Sequence, residues 1–73
     1  MPHIAVKMWK GRTPEEHKSA ALAVRKALAE CLDVKEDYIS VSVEDYTKEQ
    51  WDKVFEDEIE GNKHTLIMPN YDA

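Results

Sequence analysis

His3-Ile4-Ala5-Val6-Lys7-Met8-Trp9-Lys10-Gly11-Arg12-Thr13-Pro14-Glu15-Glu16 is the stretch whose reading settles the fold. Its first half alternates: Ile4, Val6 and Met8 point one way, Ala5 and Lys7 the other, the period of two that marks a strand. Lys10-Gly11-Arg12 is the turn that ends it. Thr13 then supplies an N-cap oxygen, Pro14 suits the first helical position and Glu16 completes a capping box. This helix is expected to run to about Leu32, burying Ala21, Val24, Leu28, Cys31 and Leu32 and turning Glu15, Lys18, Arg25 and Lys26 mainly to solvent.

Asp33 opens a loop, and alternation returns from Ile39 to Glu44, with Ile39, Val41 and Val43 on one face and Ser40, Ser42 and Glu44 on the other. Two strands joined through a helix of this length make a right-handed βαβ unit with parallel strands. Thr47-Lys48-Glu49-Gln50 repeats the capping-box pattern. The second helix is expected to reach about Glu60, with Trp51, Val54, Phe55 and Ile59 on its apolar stripe. Gly61-Asn62 reads as a turn, and Thr65-Leu66-Ile67-Met68 as a short terminal strand stopped by Pro69. With no repeat or linker, residues 1–73 read as one α/β (α+β) domain.

A chain of 73 residues is at the small end of what a lone core can hold together. Cys31 is its only cysteine, which rules out an internal disulfide and fits a reducing compartment. Cys31, His3, His17 and His64 lack paired ligand spacing, so no metal site is expected. Helices on one face of a two-stranded parallel sheet would leave the other face bare, whereas parallel sheets are normally covered on both. Association with further copies answers both problems, so a homo-oligomer is expected.

The net charge of −5 argues against phosphate-driven nucleic-acid binding. No apolar run approaches the roughly 20 residues of a membrane span, and Met1-Pro2-His3-Ile4-Ala5-Val6-Lys7 has neither the basic leader nor the apolar core of a signal peptide. A cytoplasmic protein with no nucleic-acid or membrane partner is the expectation, and no motif calls for a cofactor.

Pro2 stands out chemically. A small residue after Met1 normally permits removal of the initiator methionine, and Pro2 would then carry a secondary amine on a rigid ring. An apolar cleft and a nearby cation would lower its pKa and make it a general base. Taken alone, an inert second-position proline is the commoner case. Arg12, just before a helix N-terminus, offers a forked donor pair suited to a carboxylate, against the plainer reading of a solvated turn residue. Trp51 reads first as a core anchor and second as the apolar wall of a pocket. His3 borders Pro2, though a surface or interface histidine is the simpler reading. Ser42 shares a face with Ser40, with no catalytic triad legible. Glu44-Asp45 and Glu56-Asp57-Glu58 read as solvated charge, and Cys31 as an inert core thiol.

Met1-Pro2-His3-Ile4, the Lys10-Gly11-Arg12-Thr13 turn, Leu32-Asp33, Ile39-Ser40-Val41 and Trp51, at these spacings, resemble the tautomerase superfamily, specifically its short 4-oxalocrotonate tautomerase-like members. The resemblance covers nearly the whole chain, and its strength lies in the spacing. It implies a β-α-β unit whose core is completed by oligomerisation. It implies keto–enol tautomerisation of a 2-oxo acid without a cofactor. Pro2 would be the catalytic acid/base, Arg12 the carboxylate ligand (often supplied by a neighbouring subunit) and Trp51 the pocket wall. Ser40 stands where hexameric dicarboxylate enzymes carry a second arginine that polarises the 2-oxo group. A hydroxyl cannot match that charge, so a monocarboxylate such as phenylenolpyruvate suits this chain better. The capped helix after the second strand, where hexameric relatives have a hairpin, resembles the dimeric branch; a homodimer is favoured over a hexamer. The competing readings are a non-catalytic oligomeric or small-ligand-binding member of the fold, and a sibling decarboxylase or hydratase/dehalogenase activity.

Overall fold

The computed structural model describes residues 1–71. Strand β1 (His3–Trp9) and strand β2 (Ser40–Tyr46) pair in parallel, with His3 opposite Ser40 at one end and Trp9 opposite Tyr46 at the other. Helix α1 (Pro14–Leu32) crosses between them. Helix α2 (Lys48–Val54) follows β2 and continues as a π-helical turn over Phe55–Glu60. This is the α+β architecture that alternation and capping predict.

The punctuation is visible in the hydrogen bonds. Gly11 turns the chain out of β1 at φ 126°, a conformation that favours glycine because it has no Cβ. Glu16 N–H donates to Thr13 Oγ1 at 3.1 Å while Thr13 N–H donates to Glu16 Oε1 at 3.0 Å. The second box repeats this, with Gln50 N–H on Thr47 Oγ1 at 3.2 Å and Thr47 N–H on Gln50 Oε1 at 2.9 Å. Each box satisfies amide groups that a helix start leaves unpaired. Helix α1 stops at Asp33, which takes the left-handed conformation (φ 55°, ψ 49°) that an aspartate tolerates better than most residues.

The second strand begins one residue later and ends two residues later than expected. Ile39 N–H closes a 3₁₀ turn on the Glu36 carbonyl at 2.9 Å instead of joining the ladder. Ile39 nevertheless keeps its place in the core at 5% exposure, alongside Ala29, Trp51 and Val54. No side chain among the described residues is completely enclosed.

Four expectations are corrected. Cys31 and Leu32 are exposed rather than buried. A 19-residue helix is about 28 Å long, longer than the roughly 23 Å of a seven-residue strand, so the sheet cannot cover the full length of its stripe. The terminal strand is absent: Thr65–Met68 pairs with neither strand, and Leu66 and Ile67 stand 95% and 87% exposed. Nor is the sheet face opposite α1 wholly bare. The chain after Val54 reaches it, and Lys7 Nζ there meets Glu58 at 3.2 Å, Glu44 at 3.4 Å and Tyr46 Oη at 3.0 Å. Glu44 and Glu58 are thus ion-paired rather than merely solvated. The Tyr46 bond and then Glu58 hold the Lys7 ammonium well above the ordinary lysine range.

Candidate functional site

The parallel register puts the candidate residues at two separate ends of the sheet. Pro2 precedes β1 and Ser40 opens β2, and the two strands join there through the Ser40 N–H, which donates to the Pro2 carbonyl at 3.2 Å. Met1 is joined to Pro2 and is 99% exposed, so its loss would remove no packing. Pro2 itself is half-buried.

His3 extends this end across the sheet. Its Nδ1 lies 2.7 Å from Ser40 Oγ and its Nε2 lies 3.2 Å from Ser42 Oγ. The alternation of β1 and β2 is the local cause: His3, Ser40 and Ser42 share the face away from α1. Sequence reading places Ser40 and Ser42 on one face but does not pair them with His3, because cross-strand partners follow from register.

Arg12 lies beyond the opposite end of β1. Its Nη1 is 3.4 Å from Glu16 Oε2, one helical turn on, in an exposed pair. The Thr13 N–H, and after it Arg12, hold the Glu16 carboxyl below the usual carboxylate range. Arg12 also lines an open cavity of about 510 Å³ with Met8, Glu15, Glu16 and His17. His17 is half-buried, with Nε2 3.7 Å from Asp45 Oδ2. Sequence reading weighs His17 only as a metal ligand, yet its place one heptad before Val24 and four residues before Ala21 puts it on the inward stripe of α1.

Trp51 is 8% exposed and is foremost a core anchor. Its edge also lines a cavity of about 400 Å³ with Lys7, Met8, Trp9 and Tyr71. Within one chain, therefore, Pro2 and Ser40 stand together, Trp51 packs beside the far end of β1, and Arg12 lies just past that end. Seven strand residues separate Pro2 from the Arg12 turn, about 23 Å of chain, too far for one small substrate.

Among the described residues no group of His, Cys, Asp and Glu side chains is arranged to hold a metal ion, and no helix is long and apolar enough to cross a membrane. A family sequence model described as "Tautomerase enzyme" matches residues 2–59, from Pro2 into the π-helical turn. No curated protein matches the chain.

Proposed function

The chain belongs to the tautomerase family, and from that premise we propose that it is a cofactor-independent keto–enol tautomerase acting on a 2-oxo acid of the phenylenolpyruvate kind. Pro2, freed of Met1, is the general acid/base. Its amine takes the enol hydroxyl proton, and the resulting ammonium returns a proton to C3 as the C2 oxygen becomes a ketone. The observation that carries this reading is the placement of Pro2 at the head of β1, inside the matched segment, behind a methionine that contacts almost nothing.

Arg12 binds the substrate carboxylate, Trp51 walls the apolar tail and Ser40 faces the 2-oxo oxygen. Because one chain keeps Pro2 apart from both Arg12 and Trp51, the working site draws those two residues from a second copy. A homodimer suffices for this, and a hexamer would serve equally. The small core and the bare Leu66-Ile67 segment favour such assembly.

The test is ultraviolet-followed ketonisation of phenylenolpyruvate by Met1-free protein. General acid–base catalysis is worth about 10²- to 10⁴-fold, so Pro2→Ala should lose a factor in that range while its oligomer survives. A variant as fast as wild type would remove Pro2 from the mechanism. A second reading, a non-catalytic binding member of the fold, is favoured by the Arg12 guanidinium being already engaged by Glu16. It requires that neither protein exceed the buffer rate.

A further inference from the structure

We propose that His3, held between Ser42 and Ser40, is a positioning residue that turns the Ser40 hydroxyl into the hydrogen-bond donor for the substrate's 2-oxo oxygen. This rests on the tautomerase reading and adds to it the group that takes the developing charge.

A neutral imidazole carries one donor and one acceptor nitrogen. Ser42 is half-buried and Ser40 is exposed. The hydroxyl with less access to water is the one that must spend its proton inside the protein. Ser42 O–H therefore donates to His3 Nε2 across 3.2 Å, which leaves Nδ1 carrying the ring proton and donating to Ser40 Oγ across 2.7 Å. Ser40 Oγ is then an acceptor on its protein side, and its own proton is free to point outward. Hydrogen bonds in such a chain polarise one another, so the free O–H is a better donor than an isolated serine.

The location matches the need. Ser40 is opposite His3, one residue along and one strand across from Pro2, and neighbouring strands lie about 4.8 Å apart. An ammonium that protonates C3 and a donor on the C2 oxygen of one substrate require neighbouring groups of this kind. A neutral donor stabilises an enolate less than a cation would. The fitting substrate is thus a monocarboxylate whose enolate charge is already spread over a conjugated tail.

The experiment compares Ser40→Ala, Ser40→Thr, His3→Phe and the Ser40→Ala/His3→Phe double variant in phenylenolpyruvate ketonisation, with circular dichroism and melting confirming the fold of each. Each single loss of donor should lower kcat about tenfold or more with little change in KM. Ser40→Thr should retain most of the rate, and the double variant should lose no more than the worse single one, because the two residues act as a unit. Losses that multiply, or a full rate in Ser40→Ala, overturn the inference and leave the proline mechanism standing. Absence of any proline-dependent rate in wild type defeats the tautomerase reading instead. The inference is then decided by nitrogen-15 spectra of the histidine rings during titration with phenylpyruvate. A His3 Nδ1 shift that disappears in Ser40→Ala supports it, and His3 resonances unmoved to the highest soluble concentration overturn it.

Discussion

The two ends of the sheet are built to different purposes. At the Trp9–Tyr46 end, Lys7 binds Glu44, Tyr46 and Glu58 together, Lys10 N–H closes on the Tyr46 carbonyl at 2.8 Å, and Trp51 is sealed beneath. At the Pro2 end one finds exposed Met1, His3 and Ser40, with exposed Leu32 earlier in the chain that leads into β2. The first end ties its polar groups to one another, whereas at the second His3 and Ser40 stay exposed beside buried Ile39. Arg12 lies beyond the Trp9–Tyr46 end, so in the proposed mechanism a second copy brings the halves of the site together.

The sharpest way to break this comparison is complementation. Pro2→Ala and Arg12→Ala homodimers should each be nearly inactive, the first in kcat and the second through a raised KM for carboxylates. Mixed and allowed to exchange, they should recover about a quarter of wild-type activity at subsaturating substrate, because random pairing restores one intact site in half of the dimers. No recovery would place both residues in the same chain's site or Arg12 outside it.

Trp51→Ala tests the anchored end next. Removing a buried tryptophan costs about 3 kcal/mol or more, a large share of what a small domain has, and urea unfolding should show it. Lys7→Met should lower the melting temperature at neutral pH. The Lys7 pKa is raised in the fold, so its contribution is complete below the ordinary lysine value and disappears as pH climbs through the folded one. The variant should consequently melt with a flatter alkaline decline than wild type. Unequal changes at acid pH instead would point to another group.

The smallest effect belongs to the first capping box. Thr13→Ala should cost about 1 kcal/mol. Glu16 has the opposite sign to Lys7: its pKa is lowered in the fold, so its contribution is present above the ordinary carboxylate value and lost as pH falls through the lowered one. Glu16→Ala should shallow the acid limb of a stability–pH curve, read by melting between pH 3 and pH 7.

What the sequence made legible follows the range of the interactions involved. Alternation in Ile4-Val6-Met8 and the two Thr-capped boxes are local, so β1, β2, α1 and α2 could be read along the chain. Pro2, Arg12, Ser40 and Trp51 were legible as candidates because their spacing resembles a family. Their order along two parallel strands also put Pro2 and Ser40 at one end and Arg12 at the other, but which side chains meet across the strands was not legible, since it depends on register. The same dependence hid the His3–Ser40–Ser42 contact and the Lys7 cluster. Leu66-Ile67-Met68 misled for a different reason: a strand-like sequence forms a strand only beside a partner edge, and within one chain Asn62 and Ile59 hold Thr65 in a turn instead. Cys31 misled because periodicity gives a face but not where the sheet beneath it ends.

The central claim is that Pro2 works as a base, and the most direct measurement is the titration of its nitrogen by nitrogen-15 spectroscopy in Met1-free protein. A general base matched to its task has an apparent pKa near about 7, and the account predicts a Pro2 amine that loses its proton around neutrality. A Pro2 nitrogen still protonated well above pH 9 would contradict it and point to the sibling reactions that use a charged proline.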